Sequence, residues 1–431
     1  VKCYIKDKEL NYGAVVSKFS VRNPAHEKKI SKIIGEPLDF LTMGHTMSGE
    51  LNLPRRISTA FLNSSLYEKY YEFVQAVKKV LEELMITCPV YVLKADGGSI
   101  ILEKSISFPV ETISSGPAAS IMGGTAFIEE QCDYMVIDVG GTTTDISFFA
   151  DGTPLYERMG VEINQYKTLV KGLYSRSVGI GGDSLVKLDN NSLQIGPQSV
   201  FPAAFGGKGP TPTDAMCVIG NLPDGDKERA RQVLQSLVLK MDDSVKKVAN
   251  KILSKVAEKI INKSNVHLKK INSQPVYTIN DLLNGKRLNP KKVIIIGAPA
   301  AVLEPYISSI VDYQTIVPDY YQVANSLGAA LSQVTAEINI IADTSQGYLV
   351  IGDEGKKEKI DSSFDLEEGR KLIFEKLGEK VKEMGFKGDN PDLYIAEEQA
   401  FNIIRKFKLE GKYFRLKARV KPGIKEGYLD G

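Results

Sequence analysis

Apolar residues recur along this chain in two distinct periods, and the switch between them marks its elements. From Ser65, the residues Leu66, Tyr70, Phe73, Val74, Val77, Leu81 and Leu84 follow steps of three and four, which predicts an amphipathic helix ending near Cys88-Pro89. A longer pattern of the same kind, with Val233, Leu234, Leu237, Met241, Val245, Val248, Ile252, Val256 and Ile260 on one face, predicts helix from about Lys227 to Ile271. Short apolar runs bounded by turn residues predict strands at Ala14 to Val21, at Val90 to Leu93, on both sides of the Met135 to Phe149 segment, from Lys291 to a stop at Gly297, and at Thr315 to Val317. The turn signal Asp151-Gly152 leads into Pro154 to Ile163, so three successive strands are expected to form an antiparallel meander. Asn23-Pro24-Ala25 starts one helix, the small residues from Gly116 to Ser120 start another, and Val323 to Ala336 reads as a third. After about Ile341 the composition turns polar, and the alternation in Tyr413 to Pro422 suits a half-exposed strand of an appended α+β piece.

The segment that carries chemistry is Asp138-Val-Gly-Gly-Thr-Thr-Thr-Asp145, a glycine pair between two aspartates and two apolar strands. Consecutive N–H groups in such a turn form an anion-binding concavity, the threonines add hydroxyl donors, and two carboxylates can hold a hydrated magnesium ion. A plain Gly-rich hairpin turn with two capping aspartates is the competing reading. No Gly-x-x-x-x-Gly-Lys-Ser/Thr string occurs, so the site is not a Walker loop. Ala95-Asp96-Gly97-Gly98 and Gly181-Gly182-Asp183-Ser184 repeat the glycine-pair-with-acid theme.

Charge and composition narrow the partners. The 431 residues carry 55 basic and 53 acidic side chains, a net charge of +2 that gives no general attraction to nucleic acid or to anionic membranes. The lysines of the long helical region, Lys246 to Lys259, suit a solvated face. Cys3, Cys88, Cys132 and Cys217 are scattered with no Cys-x-x-Cys pair, which points away from zinc or a disulfide framework and toward a reducing, cytoplasmic setting. No apolar run approaches the roughly 18 residues of a membrane span. With only His26, His45 and His267, a histidine-rich zinc amidohydrolase site lacks ligands, and no Gly-x-Ser-x-Gly elbow supports a serine hydrolase.

Taken in order, Phe19 to Glu27, Arg55 to Ala60 with Asn63, Asp96 to Gly98, Ser115 to Ala118, Asp138 to Asp145, Gly181 to Ser184, Gly196-Pro197 and Thr211 to Ala215 resemble the ATP-dependent hydantoinase A and 5-oxoprolinase family over roughly residues 14 to 335. The resemblance implies an α/β actin-like fold, as in sugar kinases and heat-shock-70 ATPases. It divides the chain into a remnant of the family's N-terminal domain at 1–53, an ATPase core at 54–340 and a C-terminal α+β extension at 341–431. The superfamily's first phosphate loop is not found in this chain, which with Val1 in first place implies an N-terminally truncated fragment, inactive alone. The site implied is Asp138, Asp145 and Asp183 as the catalytic carboxylates, the first two holding magnesium. Gly140, Gly141, Thr142, Thr143, Gly181 and Gly182 would contact the ATP phosphates, and Gly297 the adenosine side. Asp96, Ser115 and His45 are candidates for the acceptor side, with a turn-capping Asp, a helix-capping Ser and a structural His as the alternatives.

The implied reaction is γ-phosphoryl transfer from ATP to the carbonyl oxygen of a hydantoin or lactam, then attack of water and release of phosphate. Such chemistry needs positioning and charge neutralisation more than a covalent nucleophile. The expected partner is a separate hydantoinase B-type subunit, and a homo-oligomer is compatible with the sequence. Two further functions stay open: an ATP-dependent ketone carboxylase subunit, and a non-catalytic actin-like module that binds nucleotide or a partner.

Overall fold

The computed structural model describes residues 1–190, 192–220, 222, 224–273, 287–352, 355–388 and 390–424. They fall into two compact units, one of Ala119–Leu155 with Leu173–Leu331, the other of Val1–Ala118, Tyr156–Gly172 and Ser332–Gly431.

The first of these, the sheet unit, is built on five strands in the order Ser175–Val178, Thr144–Ala150, Tyr134–Val139, Lys292–Ile296 and Gln314–Ile316. Thr144–Ala150 runs antiparallel to both of its neighbours, Ser175–Val178 and Tyr134–Val139, and the last two strands follow parallel to Tyr134–Val139. Continuous apolar strands require cover on both faces. Met135, Ile137, Val139, Val293 and Ile295 pack into one core with Met216, Leu234, Val248, Ile252, Val256 and Leu303 from the helices Pro212–Ile219, Lys227–Met241, Val245–Asn272 and Ala300–Ser308. On the opposite face Val136 meets Gly124 of the helix Ser115–Thr125, where an added Cβ would lie 2.9 Å from its Cγ1. This sheet order is the actin-like α/β arrangement that the resemblance implied.

Two expectations change here. The third strand of the meander is Ser175–Val178 and not Pro154 to Ile163. After the turn at Asp151 and Gly152, both at positive φ, only Thr153–Pro154 pairs with the sheet. Pro154 has no N–H to extend the ladder, and Tyr156–Gly172 belongs to the other unit. The long helix is two helices, Lys227–Met241 and Val245–Asn272, because Asp242 takes the left-handed conformation at φ 47° and Ser244 caps a new start.

The other unit is assembled from three chain segments. Its largest sheet has five antiparallel strands in the order Lys356–Lys359, Tyr348–Ile351, Glu337–Asp343, Lys408–Val420 and Leu393–Arg405. The helix Leu366–Glu383 lays Ile373, Leu377 and Val381 on Ile340, Phe414, Leu416 and Ala418 of that sheet. Its start is fixed by a capping box between Asp365 and Glu368. A parallel pair, Tyr12–Val15 and Phe40–Met43, packs on the helix Leu53–Glu83. That helix begins a dozen residues before Ser65, because its first turns bury polar side chains that an apolar period does not register. Asn52 caps it, and Arg56 is fully buried with its guanidinium donating to the carbonyls of Ser17, Lys18 and Glu50. Among the described residues no helix is long and apolar enough to cross a membrane.

Candidate phosphate-binding site

The hairpin of the sheet unit holds Asp138 directly opposite Asp145. Its turn closes with the N–H of Gly140 donating to Thr143 O at 2.9 Å, which leaves Gly141, Thr142 and Thr143 exposed at the tip. The loop after Ser175–Val178 docks against that tip through main chain, and the Thr144 hydroxyl ties it to the hairpin by donating to Ile180 O at 2.6 Å. Gly182 N–H donates to Gly140 O at 3.0 Å, and Asp183 N–H donates to Gly141 O at 2.6 Å. This approach explains the second glycine pair, since a Cβ on Gly181 would stand 2.4 Å from Gly141 O and 2.6 Å from Gly140 O. Gly140 and Gly141 themselves do not use positive φ. At Gly141 the constraint is different, because a Cβ there would meet Asp183 Oδ2 at 2.6 Å and displace that carboxylate. Gly297 does use the left-handed region, at φ 90°, and sits where a Cβ would strike Val139 O at 2.2 Å and Asp138 Oδ1 at 2.6 Å.

The structure therefore gathers Asp138, Gly140, Gly141, Thr142, Thr143, Asp145, Gly181, Gly182, Asp183 and Gly297 around one hairpin. It adds three residues that were not singled out as site residues. Ser120 Oγ donates to Asp138 Oδ2 at 2.5 Å. The Thr213 hydroxyl lies 2.8 Å from Gly182 O and 3.3 Å from Asp183 Oδ1, held there by the capping box of Thr211 and Asp214. Ser177 faces Asp145 across the strand pair. Thr213 was readable from its place in Thr211-Pro-Thr-Asp, whereas Ser120 and Ser177 have no local signal: the first depends on how its helix packs on the sheet, the second on strand register.

Burial dominates the electrostatics. It raises the carboxyl of Asp138 above the usual range, reinforced by Asp145 and opposed by the Ser120 hydroxyl. It likewise raises Asp145, opposed by Ser177, and Asp183, opposed by Thr213 and reinforced by Asp214. No basic side chain answers these three acids in those shifts, and Asp145 Oδ1 is buried with no hydrogen-bond partner among the described residues. Adjacent carboxylates with an unsatisfied oxygen make an incomplete charge set that a cation would complete. A hydrated magnesium ion suits it, because that ion keeps most of its waters and needs only one or two carboxylates. The described residues contain no cluster of three or more His, Cys, Asp or Glu able to hold a metal by themselves.

The three acceptor-side candidates lie in the other unit or at its edge, and they are not gathered in one cluster. Asp96 is held by the N–H of Gly98, the hydroxyl of Thr335 and the ammonium of Lys94. Burial alone would raise its carboxyl, but Lys94 and these bonds outweigh burial and hold it low. His45 is buried with Nδ1 2.6 Å from Glu27 Oε2, and its main-chain N–H donates to the same oxygen at 2.9 Å. Its Nε2 is enclosed with no partner among the described residues. Ser115 opens the helix Ser115–Thr125 and is half-exposed.

Residues 56–338 match the profile of the family described as Hydantoinase/oxoprolinase. Caprolactamase subunit alpha of Pseudomonas jessenii is 28% identical over 244 residues, which is 52% of this chain and 33% of that protein. The acetophenone carboxylase gamma subunit of Aromatoleum aromaticum is 29% identical over 224 residues, 48% of this chain and 30% of its own length. The crystal structure of the ATP-dependent caprolactamase from Pseudomonas jessenii superposes with a TM-score of 0.67 at 18% identity, covering 98% of this chain and 66% of that one, and so shares the fold. The chain spans about a third of the length of these two sequence relatives.

Proposed function

The chain belongs to the hydantoinase/oxoprolinase family, and from that membership and the hairpin geometry we propose that it is the ATP-using part of an enzyme that opens cyclic amides. The observation that carries this reading is the Gly140-Gly141-Thr142 turn with its exposed tip from Gly141 to Thr143, backed by the Gly181-Gly182-Asp183 loop and flanked by half-buried acids whose shifts include no basic group. The main-chain N–H of Gly141 and the Thr142 and Thr143 hydroxyls would receive the β- and γ-phosphates. Asp138 and Asp145 would hold magnesium, whose role is to neutralise phosphate charge. Ser120 keeps the Asp138 carboxylate turned inward, and Thr213 does the same for Asp183. Gly297 would let the chain pass close beside the nucleoside.

A ring amide opens slowly because its nitrogen leaves poorly. Transfer of the γ-phosphoryl group to the carbonyl oxygen activates the carbon. Water then adds there, the C–N bond breaks, and a second water releases phosphate. The protein's contribution is alignment and charge placement. A second subunit would complete the enzyme, as the subunit names of both sequence relatives suggest for those proteins. The similarity to a carboxylase gamma subunit supports a second reading, in which an enolate oxygen receives the phosphoryl group. The test is phosphate release by the complete protein with its partner, in the presence of magnesium and ATP, against a panel of lactams and hydantoins and against ketones with bicarbonate. Lactam-dependent release with ring opening supports the first reading, ketone-dependent release the second. ATP binding with neither would leave a non-catalytic module.

A further inference from the structure

The five-stranded antiparallel sheet ends on an open edge. Its last strand, Leu393–Arg405, pairs with Lys408–Val420 and with no other strand among the described residues. Such an edge offers a row of main-chain donors and acceptors to any further strand, and proteins ordinarily blunt it by keeping it short or breaking it with proline. This edge is thirteen residues long and contains neither proline nor glycine. The register with Lys408–Val420 skips Ala396 and, in the neighbouring strand, Glu410, so from Glu397 to Arg405 the edge strand has no inserted residue. Past the sheet it becomes an arm. Glu337–Asp343 accompanies Lys408–Val420 only as far as Tyr413, and Thr344 bonds Lys412. Beyond that, two strands run on alone to a tight turn at Lys406 and Phe407, both at positive φ. Two strands without a third are marginal in water. The arm leaves Phe401 58% and Ile404 64% exposed, and Leu409, opposite Ile404, is exposed too.

Side chains alternate along a strand, so Glu397, Gln399, Phe401, Ile403 and Arg405 share one face. Laid antiparallel to itself about Phe401, this row is self-complementary: Glu397 meets Arg405, Gln399 meets Ile403, and Phe401 meets its own copy. Within one chain Glu397 shares Lys417 with Glu50, and Arg405 meets Glu410 at 3.2 Å. The pairing therefore alternates in sign, one copy's Glu410 and Arg405 followed by the other copy's Glu397 and Lys417, with no like charges opposed. On the other face Ala400 meets Asn402, and Ile404 meets the stem of Glu398, whose carboxylate Arg370 already holds.

We propose that Leu393–Arg405 pairs antiparallel with the same strand of a second copy of this chain, about a two-fold axis at Phe401, so that two five-stranded sheets become one of ten strands. The interface is independent of the nucleotide reading and is tested without ATP. Sedimentation velocity of the 431-residue chain from about 1 to about 200 μM should show a monomer–dimer equilibrium. Phe401→Lys sets two ammonium groups together at the axis, and Arg405→Glu opposes two carboxylates. Each should raise the dimer dissociation constant about tenfold or more. Both side chains are exposed, and a thermal melt confirms that the variants fold. Phe73→Lys, on an exposed helix face of the same unit, should leave the equilibrium unchanged. The register is read by cross-linking in a Cys3→Ser/Cys88→Ser background, which removes the two exposed thiols. There Phe401→Cys should form an intermolecular disulfide with dissolved oxygen as oxidant, because opposed Cα atoms lie about 4.5–5.5 Å apart. Ile404→Cys should not, since this register holds it about 20 Å from its own copy. A monomer at every concentration, a dimer broken by Phe73→Lys and not by the edge variants, or cross-linking through Ile404→Cys and not Phe401→Cys would each overturn the proposal. So would edge variants that keep self-association but release a partner subunit, which would assign the edge to that subunit.

Discussion

At the scale of single residues, the two kinds of aspartate predict opposite responses to the same substitution. Asp138 has its carboxyl raised by burial, so it opposes folding as pH climbs past the unfolded carboxylate range near 4. Asp138→Asn keeps an oxygen for the Ser120 hydroxyl and removes the half-buried charge, so at pH 7 the ligand-free protein should melt higher and its stability should depend less on pH. Phosphate release by the complete enzyme should meanwhile fall roughly a hundredfold or more. Asp96 has its carboxyl lowered, so its contribution is present above about pH 4 and is lost as pH falls through the lowered folded value. Asp96→Asn leaves Lys94 with the Glu111 carboxylate and the Thr335 carbonyl and should destabilise at pH 7, toward the lower end of the about 3–5 kcal/mol typical of a broken buried pair. Thermal melts of both variants from pH 4 to 8 check the signs. A lowered melting point for Asp138→Asn would return that residue to the role of a turn cap. The glycines separate in the same way. Gly181→Ala sets a Cβ against two backbone carbonyls and should cost about 1–3 kcal/mol, whereas the clash at Gly141→Ala is with the end of the Asp183 side chain, which can turn away, and should harm nucleotide binding more than folding. The hairpin acids and the glycine pairs were legible because each is a local pattern. Ser120 and Ser177 were not, since what makes them matter is the packing of a helix on the sheet for the first and the register of distant strands for the second.

At the scale of elements, the site depends on two helices that meet backbone to backbone. A Cβ on Gly123 would lie 2.1 Å from Ala324 O, and one on Gly328 would lie 2.2 Å from both Ala119 O and Gly123 N. The helix Ser115–Thr125 thereby sits close to Ala324–Leu331 and delivers Ser120 to Asp138. Gly328→Ala must push the helices apart, so we expect a loss of about 1–3 kcal/mol in a denaturant melt together with weaker nucleotide binding. A variant that loses neither would show that the helices can shift without moving Ser120. The small residues from 116 to 120 already marked the start of a helix, although the sequence did not say what it packs against. The helix beginning at Leu53 was harder to see for a definite reason: Arg56, Thr59, Asn63 and Ser64 are buried through hydrogen bonds rather than apolar contact, so an apolar period starts only after them. Likewise the break at Asp242 rests on one left-handed residue inside an unbroken apolar stripe.

At the scale of the whole molecule, the Asp138 to Asp145 hairpin and the two later strands of the central sheet were legible in the sequence, whereas its third antiparallel strand, Ser175–Val178, was not. The return of Tyr156–Gly172 to the unit that holds both ends of the described chain was not legible either, because no local pattern records where a segment packs. The chain carries a single Asp-x-Gly-Gly-Thr string, Asp138 to Thr142, and the donors gathered around it come from one hairpin and one supporting loop. A triphosphate held by so few donors stays largely solvated, and we expect a dissociation constant near or above the millimolar range. Stabilisation follows RT ln(1 + [L]/Kd), which is only about 0.4 kcal/mol when ligand equals Kd. For a unit of this size that is a shift of roughly 2 °C or less. A thermal-shift titration of the 431-residue chain with magnesium and a non-hydrolysable ATP analogue at about 1 mM should therefore show a small shift, and chelating the magnesium should abolish it, because Asp138 and Asp145 would then meet phosphate without the cation between them. The complete protein with its partner should shift several times further, since closure around the phosphates excludes water from the transfer site. Tight saturable binding by the chain alone would mean that this hairpin, the Gly181-Gly182 loop and the Gly297 turn suffice for ATP, and that the remainder of the enzyme serves the acceptor.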